Sequence, residues 1–124
     1  MLLDEKEEHK ELIEKTIKYL EGRGYTEIKA DIEGYESPKS FKMKSKDQDV
    51  TPDIVATHKN GKIQYIEVGV KSGQPNLLKS KWKFLETLAG MKDRVFRVVS
   101  HRGSYQFTDK LMKEIDLKRP SLRI

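Results

Sequence analysis

The sequence predicts an α/β domain, a mixed central sheet flanked by helices in the order αβββαβα. Three observations carry this. Apolar residues recur at helical spacing in three separate stretches. Segments of alternating or continuous apolar character lie between them. Residues 62–100 read strand, helix, strand, the pattern of a right-handed parallel crossover. At 124 residues the chain is long enough for one domain with a core of its own, expected between residues 5 and 117.

Residues 4–21 form the first predicted helix. Asp4 is placed to cap it with Glu7 three residues on, and His9, Leu12, Ile13, Thr16, Ile17 and Leu20 share one face. Gly22-Arg23-Gly24 ends it. Residues 25–35 alternate as a strand, with Ile28, Ala30 and Ile32 to one side. Residues 36–50 are polar and lysine-rich, and read as a loop with a short strand at Phe41–Met43. Strands follow at 53–58 and 62–71, joined through the hairpin signal Asn60-Gly61. Ser72–Asn76 is a turn. Leu77, Leu78, Lys81, Trp82, Leu85, Leu88 and Ala89 then mark a helix over 77–91, with Trp82 read as core. Arg94–Ser100 is a strong strand, and a last helix over 108–117 is capped by Thr108.

Composition narrows the class. No cysteine is present, which removes thiolate metal sites and cysteine catalysis and fits a reducing compartment. No apolar run approaches the ~20 residues that span a bilayer. The opening Met1-Leu2-Leu3-Asp4-Glu5 turns acidic at once, unlike a secretory signal, so a cytoplasmic location and no membrane partner are expected. The net charge of +5 is uneven: residues 1–37 carry 11 acids against 6 bases, and the remainder carries 19 bases against 9 acids. A basic body of this kind suits a polyanion, and nucleic acid is the common one.

Two stretches point to chemistry. Thr51-Pro52-Asp53-Ile54-Val55 and Glu67-Val68-Gly69-Val70-Lys71 each set a carboxylate inside an apolar run, with the hairpin between them. Adjacent strands would bring Asp53 and Glu67 together. On the second strand Ile63, Tyr65, Glu67, Gly69 and Lys71 share a face. Acids on covered strands call for a cation, and two so close repel unless one intervenes. Mg²⁺ suits such a pair, being hard, bound through oxygen and able to hold phosphate. A lysine beside it would orient water or neutralise developing charge.

Pro52-Asp53, a hairpin, then Glu67 with a following lysine, inside αβββαβ order, resembles the PD-(D/E)xK nuclease superfamily over roughly residues 5–100. The superfamily includes restriction endonucleases and archaeal Holliday-junction resolvases. The resemblance implies a restriction-endonuclease-like fold and Mg²⁺-dependent cleavage of DNA phosphodiester bonds. Mn²⁺ would serve as a substitute, and Asp53 and Glu67 would be the metal ligands. It also implies an acid from the first helix, for which Glu5 or Glu8 is the choice from the apolar stripe and Glu14 from alignment on the helix end. Related small enzymes often pair, so a homodimer is expected.

The chain departs from the family at one position. The lysine belongs two residues after the second acid, where Gly69 stands, and Lys71 lies four residues after it. Two residues of strand span ~6.6 Å and four span ~13 Å. A bulge at Gly69 would draw Lys71 back as the catalytic cation. A lysine from the second helix, Lys79 or Lys81, would serve instead. A third reading is a module that binds or assembles without cleaving. Lys42, Lys44 and Lys46 in the loop, with Lys79 and Lys81 on the helix, are the candidate phosphate contacts. They would make binding salt-dependent and would carry no base sequence, so a structure-directed nuclease is expected. Neither Val68-Gly69-Val70 nor Gly22-Arg23-Gly24 matches a nucleotide-binding glycine fingerprint.

Overall fold

The computed structural model describes the backbone of residues 2–124 and the side chains of residues 7–124. A five-stranded sheet is built from β1 (Thr26–Ala30), β4 (Ile54–Thr57), β5 (Ile63–Gly69), β6 (Val95–Ser100) and β7 (Leu122–Arg123), side by side in that order. The first three run antiparallel, and β5, β6 and β7 run parallel, so the sheet is mixed. The parallel step is made through α2 (Pro75–Met91). α1 (Leu2–Gly22) packs on one face, and α2 and α3 (Tyr105–Glu114) pack on the other.

Each face is set by the period of its residues. Ile13, Ile17 and Leu20 of α1 meet Ile54 and Ala56 of β4, Ile66 and Val68 of β5, and Val99 of β6. Tyr65, Phe96 and Val98 point the other way, onto Trp82, Leu85 and Ala89 of α2 and Leu111 and Met112 of α3. β5 is therefore central, with both faces covered, as its two interleaved apolar sets require. The β4–β5 hairpin closes at Asn60-Gly61, where Gly61 holds φ +88° and the Asn60 side chain accepts the Lys62 N–H.

The structure differs from the sequence expectation in several places. Residues 36–50 are more than a loop. They hold a separate hairpin of β2 (Phe41–Met43) and β3 (Gln48–Val50), joined by a 3₁₀ turn, and Met43 and Val50 bury themselves against the α2 face. Lys46 ties the hairpin to α2 through Ser80, 2.9 Å away. The strand expected over 25–35 stops at Ala30 and is irregular between Thr26 and Lys29, where Glu27 holds φ +50°. α2 begins at Pro75, whose fixed φ and missing N–H suit a first helical position. α3 begins after Ser104, so Thr108 is a buried residue inside the helix and not its cap. α1 already runs from Leu2, and the Asp4 side chain lies outside the described residues. β7 is an added edge strand. Among the described residues, no helix is long and apolar enough to cross a membrane.

Candidate active site

The two acids meet where β4 and β5 part. The antiparallel ladder ends at the pair Ile54–Ile66, leaving the next amides of both strands without a backbone partner. Each carboxylate fills the gap on the opposite strand. The Asp53 N–H donates to Glu67 Oε2 at 2.8 Å, and the Val68 N–H donates to Asp53 Oδ2 at 2.9 Å. The Asp53 carbonyl meanwhile accepts the Asp31 N–H, which holds β1 alongside. Pro52 is buried just before and fixes the approach of the chain. Asp53 is 3 % exposed and Glu67 1 % exposed.

Three side chains from the helices complete the group. Lys81 of α2 sets its Nζ 3.1 Å from Glu67 Oε1 and 3.7 Å from Asp53 Oδ1. Trp82, the next residue, donates its indole N–H to the same Glu67 Oε1 at 3.2 Å. His9 of α1 donates from Nε2 to Asp53 Oδ2 at 3.0 Å. The ammonium that lies between both acids is thus a residue of the chain, and its side chain keeps 27 % exposure to solvent.

The charges follow from this packing. Burial and then the negative charge of Asp53 push the Glu67 carboxyl up to about 7, against the opposing pull of Lys81 and the Asp53 N–H. Burial also works against the Asp53 charge. The His9 hydrogen bond, the Lys81 and His9 charges and the Val68 N–H outweigh it and hold Asp53 below its ordinary value. His9 is raised, because its hydrogen bond and charge attraction to Asp53 exceed the penalty of burial. Lys81 is desolvated yet held well above the ordinary lysine range by the two carboxylates, with Asp31 adding to the pull.

Of the lysines considered from the sequence, Lys81 is the one beside the acids. Lys71 is exposed and follows the end of β5. Lys79 turns to Glu114 of α3 at 3.0 Å. Lys42 pairs with Asp47 at 3.1 Å, Lys44 is exposed, and Lys46 bonds Ser80. Glu8 and Glu14 are exposed, and the Glu5 side chain lies outside the described residues. His9, which the sequence alone places as a packed histidine, is the first-helix residue that reaches Asp53. Both His9 and Lys81 carried a signal in the sequence, since each is a polar residue inside an apolar stripe.

Gly69 has a physical reason. β5 pairs with β6 in unbroken register through Gly69 and Ser100, so no bulge draws Lys71 back. A Cβ on Gly69 would lie 2.5 Å from Thr108 Oγ1 and 2.9 Å from its Cγ2, so α3 occupies the space a lysine stem would need. Gly69→Ala is expected to destabilise the fold by ~1–3 kcal/mol through overpacking, and Thr108→Ala in the same chain should recover most of the loss. Urea denaturation of the single and double variants checks this, and a double variant no better than the single one refutes it.

Among the described residues, no three His, Cys, Asp or Glu side chains group as a metal cage. No protein-family model, no curated protein and no solved structure matches the chain.

Proposed function

We propose that the chain is a Mg²⁺-dependent deoxyribonuclease of the PD-(D/E)xK type, with a restriction-endonuclease-like core whose lysine comes from α2. The observation that carries this reading is the convergence of Asp53 Oδ1 and Glu67 Oε1, with the Lys81 ammonium beside both at 3.7 and 3.1 Å. Those two oxygens fit Mg²⁺, which is commonly held by one or two carboxylates with water and substrate phosphate filling its shell. When bound, the ion supplies positive charge to the phosphodiester and makes its water more acidic.

The chain's own residues do the rest. Asp53 is locked by His9 and Val68, and Glu67 by Trp82 and the Asp53 N–H, so the two oxygens are held before anything binds. Lys81, raised well above its ordinary range, stays protonated and serves as a charge and hydrogen-bond donor to water or to a phosphate oxygen, not as a base. The exposed Lys42 and Lys44 are available to the backbone of DNA, and binding is expected to weaken steeply with salt.

The test is cleavage of supercoiled and branched DNA with Mg²⁺ or Mn²⁺, comparing the wild type with Asp53→Ala and Glu67→Ala. The wild type is expected to cut and both variants to lose activity. Equal activity in all three removes the proposed site. One observation favours a second reading, a nuclease fold that binds without cutting. Three donors already occupy Glu67, and Lys81 with a protonated His9 would balance the two carboxylates of a structural cluster. Titration calorimetry with Mn²⁺ separates the readings, because only the nuclease requires a site that Asp53→Ala abolishes.

A further inference from the structure

A cavity of about 360 Å³ opens beside Lys81, and the phosphate-handling groups leave it unused. Gln48 and Asp49 of β3 line it on the hairpin side. Gln74 and Leu77 line it at the start of α2, and Asp31 lines it after β1. Gln74 precedes the helix but makes no capping bond with its side chain, so the amide remains available. Leu77 is 49 % exposed, one of three large apolar side chains so exposed among the described residues.

The chemistry of this wall selects its occupant. Asp31 and Asp49 repel a phosphate, and the one cation, Lys81, is held by Glu67 and Asp53. A wall of carboxylate and amide oxygens asks for N–H donors, and the leucine asks for an apolar face. A nucleobase with an exocyclic amine supplies both, since carboxylates accept from such amines and apolar side chains hold the ring. Inside a duplex that edge is paired and the ring is stacked, so only an unpaired base can enter. We propose that this cleft receives one unpaired, amine-bearing nucleobase next to the phosphate at the Lys81 site. The assignment rests on the nuclease reading and names the feature of DNA structure that such an enzyme would select.

The test uses three duplexes of one sequence: fully paired, with a single unpaired cytosine, and with an unpaired abasic position in its place. Fluorescence anisotropy in EDTA measures binding by the wild type, Gln74→Ala and Leu77→Ala, and cleavage with Mg²⁺ is followed in parallel. The wild type is expected to prefer the unpaired cytosine to both other duplexes by about tenfold or more, the worth of a good base contact. Both variants should lose most of that preference and change affinity for the paired duplex by less than about twofold. Equal affinity for all three duplexes overturns the assignment, as does a preference that survives at the abasic position. Variants that weaken all three alike, or no DNA binding at all, overturn it too. Selective binding of the unpaired cytosine without cleavage by any of these proteins would keep the cleft and sink the nuclease reading.

Discussion

Lys81→Met is expected to lower stability by about 3 kcal/mol or more, the scale seen when one partner of a buried ion pair is removed. Methionine keeps the length and apolar stem of the side chain, so α2 loses little packing. The loss is electrostatic: Asp53 and Glu67, at 3 % and 1 % exposure, would face each other with no ammonium between them. Glu67 would then hold a proton more tightly still. The matched control is Lys79→Met. Its partner Glu114 is 40 % exposed, and a pair of that kind is worth about 0–1 kcal/mol. Under the nuclease reading, Lys81→Met also removes a preorganised positive charge from the reacting phosphate. The cleavage rate should fall by about 10²–10³. Urea denaturation and a cleavage assay on both variants decide the matter. If Lys81→Met behaved like Lys79→Met in both measurements, the central place given to Lys81 would be wrong.

Much of this arrangement is legible in the sequence. Alternation along residues 63–71 put Glu67 and Tyr65 on one face and Ile66 and Val68 on the other, as found. Asn60-Gly61 fixed the β4–β5 hairpin, and with it the nearness of Asp53 to Glu67. Which lysine joins them was not legible. Periodicity tells which stripe a residue occupies, not what that stripe meets. Lys81 fits the α2 stripe as well as Leu78 or Leu85 does, and only the pitch of α2 against β5 aims its amine at the carboxylates. The position of Gly69 depended on Thr108, 39 residues away in sequence, a contact no local pattern carries. The β2–β3 hairpin was hidden for a related reason. Its exposed lysines dominate the composition, while only Met43 and Val50 of its two strands are buried.

Stability is expected to fall by a few kcal/mol as pH rises from about 4.5 to about 7, and Glu67 is the cause. Its folded carboxyl titrates near 7 against an ordinary 4.5, so the folded state binds its proton more tightly than the unfolded chain does. A raised pKa gives stability that is complete below the unfolded value and is lost as pH climbs through the folded one. Asp53 acts in the opposite sense. Its lowered pKa gives stability that is present above its ordinary 3.8 and fails only in more acid solution, outside this window. His9 is raised above 6.5, so its contribution fades at the alkaline end and extends the decline. Glu67→Gln separates the two groups. The variant should be less stable in absolute terms, because Trp82, Lys81 and the Asp53 N–H all donate toward residue 67 and an amide offers them a single acceptor oxygen. Its pH profile is the diagnostic quantity. The descent below pH 6.5 should vanish, and only the later step from His9 should remain. Denaturant midpoints taken across that range would show it. A Glu67→Gln profile parallel to the wild type would mean that Glu67 is already ionised in the folded protein, with Lys81 balancing its charge in full.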